Sequence, residues 1–334
     1  TAASIGRAGA SVKVLVTGAT GFVGRTLVRR LTDDGFEVRA LVRPATEASG
    51  LAAAGVEIVR ADLANGQPLD RAVRGCDHVY HLAAAHGRGA TAAACNAVNI
   101  HGTERLALAA TRAGVARFVL ASTRGVYGSV SHARIDEHTP TSPDTAYRES
   151  KLRAERIVEA CSKAHGLPYV TLRLPSMLGA GAMGWLGLFR AVATGGFRVI
   201  GSGKNRQHPC HIDDAVEALV RAGATKGVEG EIFLIGGTES ISTRDFLERI
   251  AAVLGVSLSR VHLPAAPYVA ARTLAAAAAR LRRKLPEDTR NEMFIASYVI
   301  DDSKARRLLG YAPAGPLDDA LRKTAAWYRA NGHL

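Results

Sequence analysis

Short runs of β-branched and aliphatic residues alternate along the chain with longer stretches in which apolar positions recur every three or four residues. Val12 to Val16 is the first run. It leads into Thr17-Gly18-Ala19-Thr20-Gly21-Phe22-Val23-Gly24, and Phe22 to Leu31 then carries apolar residues at helical spacing, ended by Gly35. Further strands are predicted at Glu37 to Arg43, Glu57 to Arg60, His78 to Leu82, Phe118 to Ala121 and Tyr169 to Leu174, separated by helical stretches such as Ile100 to Ala113 and Ala146 to Cys161. Strands that alternate with helices pair in parallel, so the fold class is α/β with a doubly wound parallel sheet. Beyond Pro175, the glycine-rich Gly179 to Gly187 and the segment Pro264 to Pro286 break this rhythm, as a smaller C-terminal substrate-binding lobe would. The expected division is a loose leader at 1–11, a dinucleotide-binding domain at 12–175 plus about 207–238, and a lobe at about 176–206 and 239–334.

The glycine loop lies between the first strand and the first helix, where backbone N–H groups face a pyrophosphate and a Cβ would block the turn or the approach of the phosphates. Gly18, Gly21 and Gly24, with Thr20, Phe22 and Val23, are the candidate contacts, in the spacing GxxGxxG. The residue that ends the second strand separates the two nicotinamide cofactors, since a carboxylate accepts from a free ribose while arginine pairs with a 2′-phosphate. Here the strand ends Leu41-Val42-Arg43-Pro44. Arg43, helped by Arg25, therefore favours NADP(H) over NAD(H). Asp62-Leu63 after the third strand is placed to meet the adenine, and Leu82-Ala83-Ala84 after the fourth offers small residues where the cofactor passes.

Tyr147-Arg148-Glu149-Ser150-Lys151 is the second motif. On a helix Tyr147 and Lys151 share a face, and an ammonium one turn away favours the phenolate of a tyrosine whose ordinary pKa is near 10. Tyr147 would give a proton to a carbonyl oxygen as hydride reaches the carbon, or take one from a hydroxyl in the reverse direction. A hydroxyl at the end of the fifth strand would hold the same oxygen. Ser122 and Thr123 both qualify; alternation aims one of them at the cleft, and Thr123 is preferred with Ser122 as the fallback.

Composition adds limits. With 334 residues, 47% of them hydrophobic, the chain can bury a large core. No run of 18 apolar residues points to a membrane span, and no signal peptide is evident. Cys76, Cys95, Cys161 and Cys210 lack paired spacing, which fits a reduced, cytoplasmic protein better than a disulfide framework. The net charge of +13 is spread over scattered arginines and does not form a basic block interleaved with aromatics, so a polyanionic cofactor accounts for it better than nucleic acid.

These motifs, together with Tyr80-His81-Leu82-Ala83-Ala84, Val98-Asn99-Ile100-His101-Gly102-Thr103, Val126-Tyr127-Gly128, Arg173 to Gly179, His211-Ile212-Asp213-Asp214 and Leu309-Gly310-Tyr311 to Pro313, resemble the extended short-chain dehydrogenase/reductase family, also called the NAD-dependent epimerase/dehydratase family. The resemblance covers nearly the whole chain. It implies a Rossmann domain with an attached lobe, a Thr123–Tyr147–Lys151 catalytic set, and lysine hydrogen bonds to the nicotinamide ribose. By the same likeness Pro175 lies beside the nicotinamide, Asn99 supports backbone and cofactor near the active site, and relatives dimerise through helices like the one bearing Tyr147, which makes a homodimer the natural assembly to test.

Departures narrow the function. Sugar-nucleotide dehydratases of the family carry Asp-Glu after the threonine, where this chain has Arg124-Gly125, which argues against dehydration. Epimerases place an arginine four residues before the histidine of His-Val-x-Asp, whereas counting back from His211 gives Gln207, with Arg206 one place off. The apolar stretch Pro264 to Leu281 reads equally as an alanine-rich packing helix or, by resemblance to the lobe of 3β-hydroxysteroid dehydrogenase-like and flavonoid reductase-like members, as a site for a mostly apolar small molecule; the basic run Arg280 to Lys284 reads as a solvated face or a weak membrane-surface contact. His86, Arg88, Met177 and Trp185 are candidate substrate contacts. His208-Pro209-Cys210-His211 with Asp213 is not read as a metal site, because alternate strand residues face opposite ways.

Overall fold

The computed structural model describes residues 11–87, 90–129, 134–195, 197–259, 262–264, 266–267, 270, 274 and 296–334. Six strands, β1 (Lys13–Thr17), β2 (Glu37–Val42), β3 (Glu57–Arg60), β4 (His78–His81), β5 (Arg117–Thr123) and β6 (Tyr169–Leu174), are joined by a seventh, Ile232–Leu234, in one sheet. Its order is seventh strand, β6, β5, β4, β1, β2, β3, and every pair is parallel. Central strands covered on both faces need apolar residues at consecutive positions, and Val14, Leu15 and Val16 are all fully buried. On one face Leu27, Val28 and Leu31 of the first helix, Phe22–Asp33, join Ala215, Val216 and Leu219 of helix Ile212–Ala224. On the other, Leu106, Ala107 and Ala110 of helix Thr103–Ala113 pack with Val158 and Cys161 of helix Ala146–His165.

The expected strands are present with small shifts at their ends. β5 runs two residues further than its apolar stretch, so Ser122 and Thr123 keep strand alternation. The stretch read as a helix from Ile100 opens instead with a seven-residue π-helix, Asn96–Gly102, which turns Asn99 into the interior. Helix Ala146–His165 outlasts its predicted end by a full turn; the Thr145 hydroxyl caps its start by accepting from the Arg148 amide, and Gly166 in the left-handed region closes it.

The order of connection reverses between β1 and β4, and the carboxyl ends of these neighbours open a crevice flanked by the glycine loop and Leu82–Ala84. A separate core, with Leu178, Phe189, Phe246, Ile250, Leu321 and Tyr328, is formed by helices Leu186–Ala193, Thr243–Leu254 and Leu317–Ala330. Within the stretch read as lobe, Ala305, Leu309 and Tyr311 return to the core of the sheet before the last helix crosses back. Residues 1–10, Arg88, the run Arg280 to Lys284 and most of Pro264 to Pro286 lie outside the described residues. Among the described residues no helix is long and apolar enough to cross a membrane.

Candidate active site

The glycine loop owes its composition first to its own packing. A Cβ on Gly24 would lie 2.0 Å from the Gly18 carbonyl oxygen, and one on Gly18, which has φ of +72°, would lie 2.8 Å from the Ala83 amide nitrogen. The first helix thus sits directly on β1, and β1 on the exit of β4. That helix begins at Gly21 with no side-chain cap and no acidic residue in its first turn. Its first amides and positive dipole end are left for an anion in the crevice, which fits a pyrophosphate. Phe22 and Val23 pack against the sheet's core, and Thr20 stays partly exposed at the loop.

Arg43 follows β2 with an exposed side chain, while its carbonyl accepts from the Thr46 amide and from Arg60 Nη1. Asp62 Oδ1 accepts from the Ala64 amide at 2.8 Å. Leu63 is buried, and the π-helix closes on it so tightly that a Cβ on Gly102 would lie 2.9 Å from Leu63 Cβ.

Asn99 is the brace of the second half. Its Oδ1 accepts from the Ala85 amide at 2.7 Å, and its Nδ2 donates to the Ala85 carbonyl at 3.0 Å and to Ser150 Oγ at 2.9 Å. Ser150 donates in turn to the Tyr147 carbonyl at 2.7 Å. Tyr147 is half-buried, and its ring lies 6.1 Å, centroid to centroid, from that of His86. Lys151 is buried, and its charge acts on His86, whose pKa is lowered first by burial and then by that ammonium. His86 thus neighbours both halves of the Tyr–Lys pair, as two residues on one helix face require.

The electrostatics differ from the sequence-based expectation. Burial, with Cys95 adding to it and Arg148 opposing, pushes the Tyr147 phenol up to about 12. Burial pushes Lys151 down to about 8, against the raising effect of Glu155. In the protein alone desolvation outweighs the lowering effect of Arg148, and the phenol keeps its proton at neutral pH.

Strand alternation separates the two hydroxyls. Ser122 is buried and donates to Glu155 Oε1. Thr123 is half-buried, and its Oγ1 accepts from the Gly125 amide at 3.0 Å, which leaves its proton for another acceptor. A Cβ on Gly125 would come within 3.0 Å of Arg148, so the turn after Thr123 rests on the residue next to Tyr147. Behind this layer Glu155 pairs with Arg173, Nη2 to Oε2 at 2.8 Å, and Arg173 also donates to the Tyr127 hydroxyl at 2.8 Å. Sequence reasoning missed this pair; an arginine in the largely apolar run Tyr169–Leu174 was its signal, because a buried charge needs a partner.

The remaining candidates follow β6 in the chain. Pro175 is buried just after β6, Met177 packs against the sheet's core, and Trp185 serves the lobe: its ring lies 5.2 Å from Phe246 and its Nε1 donates to the Met177 carbonyl.

A parallel sheet with a glycine loop at its reversal point and a tyrosine–lysine helix beside the crevice defines the class of nicotinamide-dependent oxidoreductases of Rossmann type. The chain belongs to the NAD dependent epimerase/dehydratase family, whose model matches residues 14–236. It is 30% identical, over 90% of its length and 92% of the relative's, to a 4-hydroxy-2-methyl-3-oxo-4-farnesyl-3,4-dihydroquinoline-1-oxide ketoreductase of Stigmatella aurantiaca. It is 31% identical, over 94% of its length and 93% of the relative's, to a dTDP-glucose 4,6-dehydratase of Streptomyces griseus. Among solved structures, the UDP-glucuronic acid 4-epimerase of Bacillus cereus in complex with NAD superposes with a TM-score of 0.78 at 25% identity, covering 96% of this chain and 99% of that one. The protein is an enzyme of the extended short-chain dehydrogenase/reductase type, in a family that works with NAD.

Proposed function

We propose that the protein interconverts a ketone and a secondary alcohol on a mostly apolar small molecule, with NADP(H) preferred over NAD(H). The observation that carries this reading is the protonated, half-buried Tyr147, with Lys151 one turn further along its helix, beside the crevice that the glycine loop borders. The bound nicotinamide supplies or accepts the hydride. Gly18, Thr20, Gly21, Phe22, Val23 and Gly24 hold the pyrophosphate, Asp62 and Leu63 meet the adenine, Leu82, Ala83 and Ala84 line the passage, and Lys151 and Asn99 support the ribose side, with Pro175 at the nicotinamide. Arg43 and Arg25 take the 2′-phosphate. Tyr147 Oη gives its proton to the carbonyl oxygen, Thr123 donates a hydrogen bond to that oxygen, and His86 touches the substrate beyond it.

Two observations favour this over sugar-nucleotide chemistry. Gln207 is buried with Nε2 on the Ala296 carbonyl, and Arg206 turns outward onto Ser240, so neither is arranged for a diphosphate. Gly125 has no room for an acidic side chain unless Arg148 moves, which disfavours a dehydratase carboxylate there. The likeness to the UDP-glucuronic acid epimerase favours a second reading, a sugar-nucleotide epimerase with tightly held NAD. A fluorescence titration with NADPH and NADH, followed by a panel of ketones and alcohols, separates them. Tighter NADPH binding and turnover of apolar ketones support the proposal; NAD that survives purification together with turnover of a UDP-sugar replaces it.

A further inference from the structure

Between the two halves of the site lies an imidazole that the chemistry above does not use. His81 ends β4 opposite Thr17, the last residue of β1, and it is fully buried. Its Nδ1 is 2.7 Å from Thr17 Oγ1 and its Nε2 is 2.8 Å from Thr103 Oγ1. A hydroxyl both donates and accepts, so the position of the ring proton follows from the other partners of those hydroxyls. Thr103 Oγ1 lies 2.7 Å from the Asn99 carbonyl, which accepts only, so the Thr103 proton goes there and its oxygen accepts from His81 Nε2–H. At the other end the Ala83 amide, which donates only, is 3.1 Å from Thr17 Oγ1, and the Thr17 proton is left for Nδ1. One tautomer satisfies every partner: neutral, with the proton on Nε2. Burial and the Lys151 charge hold the ring neutral, with its pKa pushed down to about 3.

Asn99 carries the connection on within its own residue: its backbone carbonyl takes the Thr103 proton, and its side-chain Nδ2 donates to Ser150 Oγ, which donates to the Tyr147 carbonyl. The other end of the connection is the Ala83 amide, against which Gly18 of the phosphate loop is packed without room for a Cβ. We infer that His81 is a positioning residue: locked as its Nε2–H tautomer between Thr17 and Thr103, it ties the glycine loop to the helix that carries Tyr147, so that dinucleotide binding and placement of the phenol depend on the same hydrogen-bond chain. This rests on the redox reading proposed above. A phenylalanine of similar volume would fill the space but leave the Thr17 proton without an acceptor and the Thr103 oxygen without a donor.

Two measurements test it. Long-range proton–nitrogen NMR of the full chain without cofactor should show His81 as one neutral Nε2–H tautomer that does not titrate between pH 5 and 9; an Nδ1–H tautomer or a titrating ring overturns the inference, whatever the protein does with ketones. Thr103→Val removes the acceptor for Nε2–H and Thr103→Ser keeps it. The valine variant should bind NADPH more weakly and lose about 100-fold in kcat/KM, the scale of a displacement of about 1 Å at a reacting group, and the serine variant should recover most of both. A folded valine variant that matches the parent in NADPH affinity and kcat/KM overturns the coupling. A parent protein that turns over no ketone refutes the redox reading instead, because the tautomer and the NADPH affinity are read without turnover.

Discussion

Replacing Lys151 by methionine should stabilise the protein near neutral pH while removing its activity. The side chain is 2% exposed, and burial moves its pKa from 10.5 to about 8. Between those values the unfolded chain binds a proton that the folded one does not, so stability rises with pH across that window. The cost of the buried ammonium is full below pH 8 and gone above about pH 10.5. At about 1.4 kcal/mol per pKa unit it amounts to roughly 3 kcal/mol at pH 7 and roughly 2 kcal/mol at pH 9. Methionine has a similar length and no charge to desolvate, so it recovers most of that free energy. With an unfolding entropy of about 2.1 cal/mol/K per residue, 3 kcal/mol corresponds to a rise in Tm of about 4 °C at pH 7. The assay is the Tm of both proteins at matched pH from 6.5 to 10.5, where groups common to both cancel in the difference. A gain at pH 7 that fades towards pH 10.5 supports the reasoning. A methionine variant that is less stable at pH 7, or whose difference from the parent does not change with pH, refutes it.

Other outcomes follow from the same geometry. Gly24→Ala should destroy dinucleotide binding and lower Tm, because its Cβ would meet the Gly18 carbonyl oxygen at 2.0 Å; an alanine variant with native NADPH affinity would remove the close-packing argument. Glu155→Gln should cost about 3–5 kcal/mol in urea unfolding by stranding the buried Arg173 guanidinium, and a loss under 1 kcal/mol would show that the pair is not essential to the core. Arg43→Ala should weaken NADPH binding and leave NADH nearly unchanged, by about 1–2 kcal/mol of differential affinity for a charge-assisted contact; equal effects on the two cofactors would assign the arginine to the surface alone.

Much of the architecture was legible because parallel strands buried on both faces must be apolar in succession, as Val14 to Val16 are. The glycine loop and the spacing of Tyr147 and Lys151 could be read for the same reason: each is a local geometric demand. Three features lay beyond local pattern. The π-helix at Asn96–Gly102 brings Gly102 close against Leu63, a long-range packing contact that no local propensity records. The protonation of Tyr147 depends on how much water the fold excludes, which no spacing of residues records, and so the expected depression of its pKa gave way to a rise. The engagement of Ser122 by Glu155, thirty-three residues away, is likewise a contact that no local pattern records. Trp185, a candidate substrate contact by residue type, has its indole N–H on the Met177 carbonyl and its ring against Phe246, and the Phe246 partner lies too far along the chain for local pattern to reveal.

The central claim is that the Tyr147 hydroxyl moves the proton in a crevice that holds the nicotinamide. Tyr147→Phe removes one oxygen and keeps the ring against His86. Single-turnover reduction of a ketone found active in the panel, measured beside NADPH affinity, should show a fall in rate of about 100-fold to 10,000-fold, the usual contribution of a positioned general acid, with affinity within a factor of about two to three. A phenylalanine variant that reduces the ketone at the parental rate would contradict the account.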